Sequence, residues 1–251
     1  MAPQRERTII LIKAWPQPSQ KYGETVCCAG VTPDGEWRRL FPIRFRHLTG
    51  EAQFSRWDIV SYRPDRPRDD RRVESRRVHE DSLQKEKPIP VRERAGFFDK
   101  LFRSSTSQAA ERGESLTLIR PRNVKFIARR RSASDMAEEE ARRVKTAAQG
   151  NLFDKELLQI APCPYELKLR YEDADGRHEM ACGDWETAAA FFSLSRQYGD
   201  ERALEHLRKT YEEAYVTAGI ALALGTAKKR PEQWMLLGIL RLDEAAQPSL
   251  L

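Results

Sequence analysis

With 251 residues, 40% of them hydrophobic, the chain can bury one large core or two modest ones without covalent staples. No apolar run approaches the roughly 18 residues that a membrane span needs, and the apolar segment near the start is too short for a secretory leader, so a cytoplasmic protein without a membrane partner is expected. Four cysteines, two of them adjacent (Cys27 and Cys28), do not form a disulfide framework and are expected as reduced thiols. The net charge of +6 is unevenly spread: residues 1–150 carry 32 Lys and Arg against 21 Asp and Glu, net +11, whereas residues 151–251 carry 12 against 17, net −5. A basic half that favours arginine suits phosphate, since the guanidinium fork binds bidentately and stacks on bases. The same excess also fits a solvated surface.

Thr8 to Lys13, apolar on both faces, reads as a central strand, followed by a polar loop in which Lys21 and Tyr22 could contact phosphate and stack on a base. Glu24 to Arg46 is the clearest β-hairpin, its arms joined at Thr32-Pro33-Asp34-Gly35, where proline presets one turn position and glycine allows a positive φ. With period 2, Trp37, Arg39, Phe41, Ile43 and Phe45 share a core face while Arg38, Leu40, Arg44 and Arg46 fall on the opposite one, suited to phosphates. Phe54 to Tyr62 reads as a strand. Arg63 to Arg77 is the densest charge run, an extended loop that can continue as a charged edge strand, and beside the hairpin it would extend one positive surface.

Gln84 to Arg94 reads as a connection, and Gly96 to Arg112 has Phe97, Phe98, Leu101 and Phe102 at helical spacing. Leu116–Ile119 and Val124–Ala128 read as strands, the second ending in Arg129-Arg130-Arg131, which point to both faces. A helix follows, capped by Ser134 or Asp135 and closed at Gly150, where the composition turns acidic. This sets a domain boundary: 1–150 basic and β-rich, 151–251 acidic and mixed. Tyr165–Tyr171 and His178–Cys182 form a second hairpin around DADGR. Asp184 caps a helix that stops at Gly199, a second helix runs from Asp200 to about Tyr215, and two strands, IALALGT and QWMLLGILRL, end the chain.

No phosphate loop, dinucleotide fingerprint, GxSxG or HExxH motif is present. Asp184 and Glu186, with His178 as base, could support metal-dependent phosphodiester cleavage, although capping alone explains Asp184. His79-Glu80-Asp81 is a weaker acid/base candidate, because adjacent strand residues face opposite sides. Cys163, His178 and Cys182 lack the spacing of a zinc knuckle, so neither a metal nor a cofactor is assigned.

Lys21 to Gly30, Trp37 to Arg46, Glu74-Ser75 and Asp184-Trp185-Glu186 resemble an uncharacterised family of prokaryotic proteins. That resemblance spans most of the chain and implies that these segments belong together, without implying a chemistry. Relatives in it can carry a cysteine pair ahead of the position of His178, where this chain has Glu172 to Asp175, a departure that speaks against zinc. The short strands with a basic face also look like the partly open β-barrels of the PUA or ASCH type, which would imply binding of RNA or a modified base.

The expected protein is therefore α+β, and its basic part binds RNA or DNA through Lys21, Tyr22, Arg38, Arg44, Arg46, Arg71, Arg72, Arg76, Arg77, Arg129, Arg130 and Arg131, with Tyr22 or Trp37 as a stacking surface. Its acidic part would dock on a protein partner or on a basic surface of the same, larger nucleoprotein complex. A nuclease or nucleotide-acting enzyme using Asp184, Glu186 and His178, and a protein-protein adaptor, are the alternatives.

Overall fold

The first apolar run forms β1 (Glu6–Lys13), buried from Thr8 onward because neighbours cover both of its faces. The computed structural model describes residues 5–15, 17–19, 23–45, 48, 50–94, 98–148 and 162–243. Five strands close into a barrel in the order β1, β4 (Cys28–Val31), β5 (Trp37–Phe41), β7 (Ser75–Pro88) and β6 (Asp58–Asp65). The expected hairpin is β4–β5: the Thr32 and Gly35 backbones close the turn, and Gly35 takes φ 77°, which favours glycine. A pair of short strands, β2 (Gln17–Ser19) and β3 (Gly23–Thr25), precedes it.

The barrel is closed rather than partly open, and this corrects three expectations. Arg76 to Pro88 is no edge strand or connection but most of β7, which pairs parallel with β5 and antiparallel with β6, so the barrel leaves no edge for its charges to guard. Closure buries the Leu40 face of β5, where Leu40 joins Ile10, Cys28, Val60, Tyr62 and Val78 inside, whereas Arg39, only 5% exposed, faces outward and is covered by the rest of the molecule. The strand ends at Phe41, so Ile43, Arg44 and Phe45 do not continue its alternation.

The outer face of β1 is covered by a four-stranded sheet ordered β14 (Arg230–Arg241), β13 (Ile220–Ala227), β9 (Leu116–Ile119) and β8 (Phe102–Arg103). Ile9, Leu11 and Ile12 pack there against Leu116, Leu118, Ala221, Ala223 and Leu240 in one core, with Trp57 and Phe98 at its side. Expected as a strand residue, Trp57 precedes β6 with φ 75°. Of the segment expected to be helical after Gly96, the described part begins at Phe98 and forms a short 3-10 turn (Asp99–Leu101) and α1 (Thr106–Glu111), capped by Ser105.

A third core lies between the sheet β10 (Arg122–Arg130), β11 (Tyr165–Asp173), β12 (Gly176–Ala181) and two helices, α3 (Trp185–Tyr198) and α4 (Asp200–Lys209). As expected, Asp184 caps α3 and Gly199 ends it at φ 83°. A π turn (Thr210–Ala214) follows α4 and brings Tyr211 onto Phe126. A bridge between Cys182 and Leu236 joins β12 to β14, and one between Ala14 and Asp184 ties this layer to the barrel strand. Helix α2 (Ala133–Ala148) is capped by Ser132, whose amide Asp135 accepts in return; the cap lies before the expected Ser134. The boundary expected at Gly150 lies outside the described residues, but strands from both sides of that position share one sheet. The architecture is α+β, and among the described residues no helix is long and apolar enough to cross a membrane.

Candidate nucleic-acid interface

The arginines expected to receive phosphate divide into three sets. Arg38 reaches Glu6 at 3.1 Å and Glu36 at 2.8 Å, Arg76 meets Glu6 at 3.0 Å, Arg44 meets Glu80 at 2.7 Å and Arg72 meets Asp70 at 2.7 Å. These four already have a carboxylate each, so the hairpin presents no open stripe of cations. Arg39 goes further inward, to Glu74 at 3.2 Å and to the Ser115 carbonyl at 2.6 Å, and fastens the barrel to the second layer. Lys21, Tyr22 and Arg46 lie outside the described residues. Trp37 is half-buried against the shared core.

The second set is assembled where the β6–β7 loop meets the β13–β14 turn. Arg72 donates to the Thr226 carbonyl at 3.0 Å, and Lys228 meets Asp69 at 2.9 Å. Asp70 holds the loop from within: burial works to raise its pKa, but the Arg72 side chain, the Ser75 hydroxyl and the Arg72 amide outweigh it and bring the carboxyl down to about 2. Two basic tips, far apart in sequence, therefore become neighbours. With Arg72 and Lys228 matched by Asp70 and Asp69, the exposed Arg66, Arg68, Arg71, Lys229 and Arg230 have no ion-pair partner among the described residues. Arg77, exposed on β7, is likewise unmatched among them. The sequence singles out Arg71 but gives no comparable reason to choose Lys228-Lys229-Arg230, which lies between the last two strands; the basic run at a hairpin tip was the available signal.

The three arginines at the end of β10 border a groove of about 710 Å³ beside Trp15 and Tyr165. Arg131 is held by Glu139 and the Asp135 carbonyl. Arg129 approaches Glu179 at 3.4 Å, but that carboxylate also takes Arg170 at 2.8 Å and Lys168 at 3.6 Å. The hydrogen bond from Arg170, with the charges of Arg129 and Lys168, keeps Glu179 below its usual pKa. Arg130 has no carboxylate partner among the described residues and lies over the Tyr165 ring at 5.9 Å.

The carboxylates and imidazole expected to act together do not meet. Asp184, 1% exposed, accepts from Arg56 at 2.6 Å, from the Glu186 amide, from the Thr187 hydroxyl and from the Ile239 amide. Burial alone would lower the pKa of Arg56, but the Asp184 carboxylate raises it above the usual value, so the guanidinium stays charged inside the molecule. Glu186 pairs with Lys13 at 2.5 Å. His178 sits near the turn of the β11–β12 hairpin, stacked on Tyr171 at 5.0 Å and bonded to Asp173 at 2.7 Å. At roughly 3.3 Å per residue, about 13 Å of strand separates it from Cys182, so neither the acid/base group nor the Cys163, His178, Cys182 set converges. Burial, with the nearby Asp184 charge, pushes the Cys182 thiol up to about 12. Of the remaining acid/base candidates, His79 pairs with Asp65, Glu80 with Arg44 and Asp81 with Arg63.

Two family models match the chain: residues 4–100 match Domain of unknown function (DUF8758), and residues 98–250 match Domain of unknown function (DUF8757). No curated protein matches it.

Proposed function

We propose, for a chain that belongs to the family described as Domain of unknown function (DUF8757), that it binds nucleic acid through the cationic cluster of Arg66, Arg68, Arg71, Lys229 and Arg230. The observation that carries the reading is the seam itself: the Lys228–Asp69 pair and the Arg72–Thr226 bond gather cations from two segments while matching the acids among them. Phosphate binding draws its free energy largely from counterion release, which needs unmatched cations on one surface rather than a high total charge. Arg38, Arg44 and Arg76 of the barrel, already matched, contribute little. A barrel of the PUA or ASCH type fits this reading as its scaffold, and the four free thiols fit a reducing compartment such as the cytoplasm.

Five cations meeting phosphates give a slope of log K against log salt of about −3.5 on a single strand and about −4.5 on B-form duplex. Fluorescence anisotropy with labelled RNA and DNA oligonucleotides, single and double stranded, from 50 to 300 mM salt measures it. Arg68→Glu with Lys229→Glu should weaken binding at every salt concentration and flatten the slope by about 2. Binding that is flat in salt, or unchanged by these reversals, would overturn the reading, as would equal binding to an acidic peptide.

A further inference from the structure

The groove at the end of β10 has a different composition from the cationic cluster. We infer that it is a site for a single nucleotide, with the base against Trp15 and Tyr165 and the phosphate at Arg130. Strand parity places the parts. Val124, Phe126 and Ala128 occupy the core-facing positions of β10, and Arg130 is next in that series; it pairs across the sheet with Tyr165, next in the series of Leu167, Leu169 and Tyr171 on β11. The core-facing series of the two strands thus ends in the half-buried Tyr165 ring, which meets Phe191 of α3 edge-on at 5.5 Å, and in the exposed Arg130 guanidinium.

The opposite wall is fixed from the barrel. The Trp15 amide donates to the Gly183 carbonyl at 2.9 Å, and its ring meets Trp185 edge-on at 5.5 Å and Phe192 at 6.4 Å, which holds the indole in place while leaving it half-buried. A volume of about 710 Å³ lies in the usual range for small-molecule sites of about 300–1,000 Å³. Charge decides the class of ligand. Glu138 and Glu166 share the lining with the arginines, so the groove would repel a continuous phosphate backbone. A mononucleotide places one phosphate at one unmatched cation and turns its amino and hydroxyl donors toward carboxylates. A single nucleotide needs no polyanion surface, so this site stands apart from the cluster on the other segments.

The test is calorimetric titration of the full chain with the 5′-monophosphates of adenosine, guanosine, cytidine and uridine, alongside the four parent nucleosides and inorganic phosphate. At least one monophosphate should bind saturably, and its nucleoside and inorganic phosphate each at least tenfold more weakly. Arg130→Ala should weaken the monophosphate tenfold or more and leave the nucleoside unchanged, whereas Tyr165→Leu should weaken both; thermal melts check that each variant is folded. No saturable binding by any of the four, or an Arg130→Ala variant that binds as before, would overturn the inference. Arg68→Glu with Lys229→Glu should leave mononucleotide binding intact. Oligonucleotide binding without mononucleotide binding therefore sinks the groove alone, and the reverse sinks the cluster alone.

Discussion

Removing the Asp184 carboxylate leaves the Arg56 guanidinium charged, buried and without its counter-ion, because the only other acceptor it is given is the Ile239 carbonyl at 2.6 Å among the described residues. Breaking a buried pair from one side costs about 3–5 kcal/mol, far more than the pair itself contributes, since the remaining charge keeps its full desolvation penalty. Asp184 also caps α3, and losing a cap costs about 1 kcal/mol. Asp184→Asn keeps the cap and removes the charge, so it should lose about 3–5 kcal/mol, and Asp184→Ala about 1 kcal/mol more. In urea, such a loss shifts the unfolding midpoint by on the order of 1 M. Arg56→Met combined with Asp184→Asn removes both charges and should recover most of the loss. If Asp184→Asn costs under about 1 kcal/mol, or the double variant is as unstable as the single ones added together, the buried pair is not what holds this junction. The same result governs any activity assay: loss of turnover in an Asp184 variant would report unfolding before it reported chemistry.

Three further outcomes follow from the packing. Asp70 titrates at about 2 instead of the 3.8 of an unperturbed carboxyl, so its contribution is complete above pH 4 and is lost as pH falls toward 2; denaturation between pH 5 and 2 should lose about 1–2 kcal/mol less in Asp70→Asn than in the parent. Because one core joins β1 of the barrel to Leu118 and Ala223 of the sheet, Leu11→Ala and Leu118→Ala should each cost about 2–5 kcal/mol and leave a single unfolding transition, whereas two separable transitions by fluorescence and circular dichroism would show independent halves. A Cβ at Gly30 would collide with the Ile9 backbone of the neighbouring strand, so Gly30→Ala should cost more than Ile12→Val, which typically loses about 0.5–1.5 kcal/mol; equal midpoints would contradict the close approach.

What could be read from the sequence was local. The Asp184 cap and Gly199 stop of α3, the turn at Gly35 and the DADGR hairpin all depend on neighbours within a few residues, and each was found where expected. Barrel closure was not legible, because the parallel pairing of β5 with β7 joins Leu40 to Arg76 across a charged run that reads as a loop. Alternation along β5 then misassigned its faces, since it separates two sides but cannot say that both are covered. The cationic cluster was half visible: Arg71 stood out, but nothing near Lys228 announces that Asp69 will be beside it.

The sheet over the barrel takes β8 and β9 from residues 102–119 and β13 and β14 from residues 220–241. During synthesis the barrel strands all emerge more than a hundred residues before the last two, so Ile9 and Leu11 on β1 have Leu116 and Leu118 beside them long before Ala221, Ala223 and Leu240 arrive to complete the cover. A chain stalled before Ile220 would carry that flank half covered, and nascent-chain chaperones would be its natural first companions.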